Sequence, residues 1–161
     1  DLVFESEHSF DSKSTHFKAG TKLEELGACN NCHFYGTTFP KQGAQTWAPN
    51  LAMSKNRLRP DWMKEWLRDP QTIMPGTQMP APYLPTEDIL NVDGAVEIWG
   101  DELVDINADV DIMLKGLTEY IYNIDGKTDI TNIVKEYFKT NGYIFDSQDE
   151  EDDEDGWDDE W

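Results

Sequence analysis

Apolar residues at Val110, Met113, Leu114, Leu117, Tyr120, Ile121 and Ile124 recur at three- and four-residue steps. That spacing lays one stripe along a helix. Residues 108–124 therefore predict an amphipathic helix, stopped by Asp125-Gly126. Another helix starts at Ser14 or Thr15, either of which can cap it, and continues through Phe17, Leu23 and Leu26 toward Cys29, with Gly20 inside it. A third opens at Pro60, followed by Asp61, and closes at Asp69-Pro70. Its apolar face is Leu58, Trp62, Met63, Trp66 and Leu67. Thr86-Glu87-Asp88 begins a short helical turn through Ile89 and Leu90. Thr128-Asp129 caps a further short helix with Ile130, Ile133, Val134, Tyr137 and Phe138 on one face, ended by Asn141-Gly142. Residues 34–56, with Gly36, Pro40, Gly43 and Pro49, read as loop. Residues 92–106 read as an acidic insertion packed over the core. The predicted fold class is mainly α.

Composition divides the chain into a folded middle and solvated ends. With 161 residues it is one domain with appendages. Residues 1–13 form a polar arm in which Phe4 and Phe10 are isolated, 14–124 the domain, 125–145 an extra helical segment and 146–161 an acidic tail. The formal net charge is −20; the tail holds eleven acids and no base, and outside it 22 acids face 13 bases. Nucleic acid and anionic lipid are poor partners for such a chain, and a basic protein surface is a better one. Trp157 and Trp161 in the tail are candidate anchors for it. No apolar run approaches the ~18 residues of a transmembrane helix. The chain opens on a polar stretch rather than a signal peptide.

Candidate chemistry sits in Cys29-Asn30-Asn31-Cys32-His33, a C-x-x-C-H run that reads as the attachment signature of a c-type haem. Two thiols at this spacing can form thioethers to one porphyrin, and His33 then lies beneath the iron. These are the chain's two cysteines, so one covalent haem c is the expected cofactor. Downstream, Pro75-Gly76-Thr77-Gln78-Met79-Pro80 offers a thioether on a stiff loop. A thioether is a soft donor that favours ferrous iron. Met74 is the competing sulfur on the same loop, while Met53, Met63 and Met113 read as core filler. Trp47, Trp62 and Trp66 are candidates to line the haem. An indole N–H, Arg57 or Arg59 is a candidate to pair with a propionate, because a buried carboxylate needs a donor.

The run 29–33, Ala48-Pro49-Asn50-Leu51, the segment 57–67 and the loop 75–80 follow one another as in class I mono-haem cytochromes c. The chain resembles that family over residues 14–124. The resemblance implies the cytochrome c fold, small helices and loops around one covalent haem, here with a C-terminal extension. It implies His33 and Met79 as axial ligands, with Cys29 and Cys32 carrying the porphyrin. It also implies that Gly20 lets the first and last helices cross near Tyr120, and that Pro49 or Pro40 offers a carbonyl to the His33 ring. Two departures stand out. Gly27-Ala28 precede Cys29 where many relatives place a glycine beside the cysteine, and 80–108 is longer than in the smallest relatives.

The expected function is one-electron transfer between extracytoplasmic redox proteins, with no bond-making chemistry. The haem edge near Cys29 and Cys32 is the expected exit. The partners are redox proteins with a basic docking surface, and the extra helix and tail suit a subunit of a larger membrane-bound electron-transport complex. Covalent haem attachment implies the periplasm or another extracytoplasmic compartment, with a leader or anchor removed or the chain a fragment. If His8 or His16 caps the iron, or nothing does, the same haem serves a gas or peroxide sensor. A zinc site from Cys29, Cys32 and two of His8, His16 and His33 lacks the usual second close pair. A thioredoxin-type dithiol lacks its β-α-β context.

Overall fold

In the computed structural model, which describes residues 10–142, Ser14 starts the first helix. Its Oγ accepts the Phe17 N–H at 3.3 Å, satisfying a donor that the first turn leaves unpaired. Helix α1 runs Thr15–Gly27 and buries Ala19, Gly20 and Leu23. Phe4, His8 and the acidic tail with Trp157 and Trp161 lie outside the described residues.

The main partner of α1 is α8, Val110–Tyr122, whose N-cap Asp109 accepts the Ile112 N–H at 3.0 Å. Met113, Leu114, Leu117 and Ile121 point from α8 into the core. Burying each such side chain contributes about 2 kcal/mol. The two helices meet backbone to backbone. A Cβ at Gly20 would lie 2.1 Å from the Gly116 carbonyl, and one at Gly116 would lie 1.8 Å from the His16 carbonyl oxygen. Gly20 thus meets Gly116, one turn before Tyr120, and Tyr120 packs on Phe17 at 6.2 Å. A glycine was needed on both helices, and the apolar stripe of α8 hid the second.

Helices α2, Ser54–Arg57, and α3, Pro60–Arg68, pack against α8 from another side. Pro60 holds Arg59 extended, at φ −85° and ψ 140°, so Leu58 stands outside the helix to whose apolar face the spacing assigned it. Met63 and Leu67 are buried, Trp66 is half-buried, and Leu58 and Trp62 are exposed. The apolar face of α3 is therefore narrower than the sequence pattern. Asp69 ends α3 and at once caps α4, Pro70–Ile73, by accepting the Thr72 N–H at 3.1 Å. Residues expected only to stop a helix also start one.

The stretch 92–106, expected as an acidic insertion over the core, holds two short helices. Helices α5, Glu87–Leu90, α6, Ala95–Trp99, and α7, Asp101–Asp105, bury Leu90, Ala95 and Leu103, and α7 packs on α1. Phe10 is not isolated in an arm: its ring meets Tyr122 edge-on at 5.8 Å. The chain forms two compact units, 1–128 and 129–161. The second contains α9, Thr131–Thr140, in which no residue is fully buried. Asp129 Oδ1 accepts the Thr131 N–H at 3.0 Å as α9 begins. Among the described residues there is no β-strand, and no helix is long and apolar enough to cross a membrane.

Candidate functional site

The C-x-x-C-H run begins where α1 ends. Ala28 is the C-cap, in the left-handed region at φ 48°, and its N–H donates to the Glu24 carbonyl at 2.8 Å. That reversal starts the tight turn Cys29–Asn31, after which the His33 N–H returns to the Cys29 carbonyl at 3.0 Å. The outward carbonyls of the run are each met by a later loop. Lys41 N–H donates to Asn30 at 3.0 Å, Gln42 N–H to Asn31 at 2.9 Å and Ala48 N–H to Cys32 at 2.8 Å. A run of backbone with few hydrogen bonds of its own is thus fixed from outside.

The pairing of His33 with Ala48 as a parallel bridge brings Pro49 alongside the imidazole. His33 Nδ1 donates to the Pro49 carbonyl at 2.7 Å; the acceptor is Pro49, not Pro40. The bond fixes the tautomer and leaves the Nε2 lone pair uncommitted. Burial holds the imidazole below the usual histidine range, the Pro49 bond opposing it, so the ring is neutral at neutral pH. The two thiols are free and half-buried. Burial, with Glu24 nearby, pushes the Cys29 thiol up to about 11. A thiol held protonated is a poor zinc ligand and a poor dithiol nucleophile. Among the described residues no three His, Cys, Asp or Glu side chains cluster to hold a metal ion.

Glu24 is buried beneath this loop at 6% exposure. Tyr35 Oη donates to it at 2.5 Å. Burial first, then the hydrogen bond and charge of Glu24, push the Tyr35 hydroxyl far above the ordinary tyrosine range. Burial, then the Glu24 charge and hydrogen bond, push Tyr120 up to about 12. Both shifts favour the protonated phenol in the folded state. The stability they contribute is fully present below pH ~10, the unfolded value; the Tyr120 share is lost as pH rises toward about 12, and the Tyr35 share at higher pH still. Denaturant midpoints measured between these limits should fall faster for the wild type than for a Tyr35→Phe, Tyr120→Phe double variant. Equal slopes would mean that neither hydroxyl is held above its unfolded value.

The methionine loop is laced to α4. Gln71 Nε2 donates to the Thr77 carbonyl, and Gln71 Oε1 accepts the Gly76 N–H at 3.3 Å. Thr77 Oγ1 accepts the Met79 N–H at 3.3 Å. Met79 packs against the core, whereas Met74 is 57% exposed. Trp66 Nε1 donates to Met79 Sδ at 2.9 Å, so this indole faces a sulfur rather than waiting for a carboxylate. Trp62 stacks on Trp66 with ring centres 5.4 Å apart and stands 41% exposed.

The other sequence candidates occupy separate places. Trp47 packs with Phe34 and Phe39, at 4.9 and 5.4 Å, and donates to the Gln42 carbonyl at 3.1 Å. Arg57 and Arg59 are exposed on either side of Leu58, whose carbonyl accepts from Tyr122 Oη. His16 Nε2 lies 2.8 Å from the buried carboxylate of Glu119, which occupies it structurally. His8 lies outside the described residues.

Asn50 was given no role by its sequence. It is 5% exposed, and its Oδ1 accepts from Gly36 N at 2.9 Å and Ala52 N at 3.1 Å. Its Nδ2 donates to the Gly36 and Lys127 carbonyls at 3.2 and 3.0 Å. It staples the loop after His33, the loop after Pro49 and the chain beyond α8. An asparagine directly after the proline and before a short turn was the available signal.

Comparison with protein-family models, with curated proteins and with solved structures finds no match to this chain.

Proposed function

We propose that this protein is a mono-haem electron carrier with the cytochrome c fold, its haem attached through Cys29 and Cys32 and ligated by His33 and Met79. The observation that carries the reading is the 2.7 Å bond from His33 Nδ1 to the Pro49 carbonyl within an intact C-x-x-C-H run. A metal-binding imidazole typically donates its second nitrogen to a carbonyl in this way, which orients the ring and raises its basicity. The residues fit the group in further respects. The thiols are unpaired, the imidazole is neutral, and the Met79 sulfur is drawn in against the core. The glycine contact between α1 and α8 matches the helix crossing that the family resemblance implies.

Bound here, a haem would supply a one-electron ferric/ferrous couple. The chain's own part is to hold it still. Backbone bonds from Lys41, Gln42 and Ala48 fix the attachment run, and Gln71 and Thr77 fix the methionine loop. Ligands that move little between oxidation states suit rapid electron transfer. The net charge of −20 favours partners with basic surfaces, as a free carrier or as a subunit of an extracytoplasmic complex.

The test is a reduced-minus-oxidised visible spectrum of protein produced with haem-attachment machinery, together with its intact mass. A haemochrome spectrum and a tetrapyrrole adduct that both vanish in Cys29→Ser, Cys32→Ser are expected. Colourless wild-type protein without the adduct would overturn the reading. A gas- or peroxide-binding haem, the alternative, would show a readily displaced sixth ligand.

A further inference from the structure

We propose that helix α6 and the turn before it form a docking surface for a partner protein whose contact face has an apolar centre ringed by lysine or arginine. The inference deepens the basic-partner part of the reading above and rests on it there. Its experiment reads binding rather than haem, so either can fail alone.

The backbone presents α6 outward. Gly94 flanks it at the start with φ 83° and Gly100 at the end with φ 82°, a region that glycine enters freely. Ala95 and Trp99, four positions apart, share its inward face. Ala95 is buried, and Trp99 packs against the core with its ring stacked on Tyr83 at 5.9 Å. The three residues between them, Val96, Glu97 and Ile98, are all exposed. Val92 adjoins them, because its carbonyl accepts the Ala95 N–H at 3.1 Å. Tyr83, Val92, Val96 and Ile98 are each between 44% and 60% exposed. Exposed apolar residues scattered singly are ordinary, but here four gather on or beside one short helix.

The surroundings set the partner's charge. No lysine, arginine or histidine occurs between Arg68 and Lys115, and seven acids lie between Tyr83 and Ile106. None of the seven joins an ion pair among the described residues. A wholly apolar partner would take these carboxylates out of water and leave them unpaired. An anionic membrane would repel them. A second copy that paired this face with itself would set acid against acid. A basic rim around an apolar centre meets both needs at once. It covers Val96 and Ile98 and pairs with Glu97 between them and with Asp93 and Asp101 at the two ends. All these residues fall within 80–108, the stretch that is longer here than in the smallest cytochromes c the chain resembles, so the surface is this chain's own.

The probe is a synthetic helical peptide with a leucine stripe flanked by lysines, titrated calorimetrically into the full chain. A control peptide carries glutamine in place of leucine. The wild type should bind the leucine–lysine peptide at least about tenfold more tightly than Val96→Ser, Ile98→Ser does, and the two proteins should bind the control equally. Both side chains are exposed, so thermal unfolding of the variant should match the wild type. Val96→Ala, Ile98→Ala, which favours the helix, should show the same loss. Glu97→Gln, Asp101→Asn should weaken binding and flatten its salt dependence. Neutralising the acids of 149–155 should leave the tenfold difference in place. Equal affinities for the wild type and both Val96, Ile98 variants would overturn the proposal, as would a difference that vanishes with the tail acids. A wild type that dimerises through Val96 and Ile98 would make a second copy the occupant and overturn it as well.

Discussion

Gly116→Ala should destabilise the protein by about 3 kcal/mol, the upper part of the usual range for overpacking. The added methyl would lie 1.8 Å from the His16 carbonyl oxygen and 2.7 Å from its carbon. Both are backbone atoms of α1, so no rotamer change relieves the overlap and the helices must part. Parting them loosens Ala19, Leu23, Leu114 and Leu117, all at most 1% exposed. Alanine's better helix propensity works the other way, but it offsets only about 1 kcal/mol. Gly20→Ala should behave alike, since its Cβ would lie 2.1 Å from the Gly116 carbonyl carbon and oxygen. The double variant should cost less than the two losses added, because one separation relieves both overlaps. Urea midpoints of the three variants check this. Variants as stable as the wild type would mean that the helices do not touch at their glycines.

Met79→Ala should abolish the thioether-to-iron charge-transfer band completely and lower the reduction potential, while Met74→Ala leaves both intact. The two sulfurs lie on one loop but in different surroundings. Met79 is half-buried with its sulfur accepting from Trp66, and Met74 is 57% exposed. Removing the softer ligand withdraws preferential support from ferrous iron, which gives the sign. The packing loss in Met79→Ala is about 2 kcal/mol, so the spectrum should be read on folded protein. A band that survives Met79→Ala and disappears in Met74→Ala would transfer the ligand assignment.

Much of the helical layout was legible because the signals that start helices are local. Ser14 and Pro60 act within one turn, and each sits where its chemistry places it. The stripe of α8 was legible because its face is buried along most of its length. Features that depend on partners distant in sequence were harder to read. Gly116 is a weak helix former until α1 is laid across it. The two short helices Ala95–Trp99 and Asp101–Asp105 are too brief to show a periodicity of their own. Leu58 and Trp62 matched the apolar spacing of α3, yet the core reaches only Met63 and Leu67. At the site, C-x-x-C-H marked Cys29, Cys32 and His33 by spacing alone. The Pro49 bond to His33 and the Trp66 bond to Met79 join residues 16 and 13 positions apart, and only the folded chain brings them together.

Ala28 holds a left-handed backbone immediately before Cys29, at φ 48° and ψ 46°. An L-residue with a side chain gives up about 1–2 kcal/mol in that conformation, and glycine gives up almost none. The C-x-x-C-H run therefore follows directly on a strained residue. Ala28→Gly would relieve that conformation, and the greater freedom of glycine in the unfolded chain would offset part of the gain.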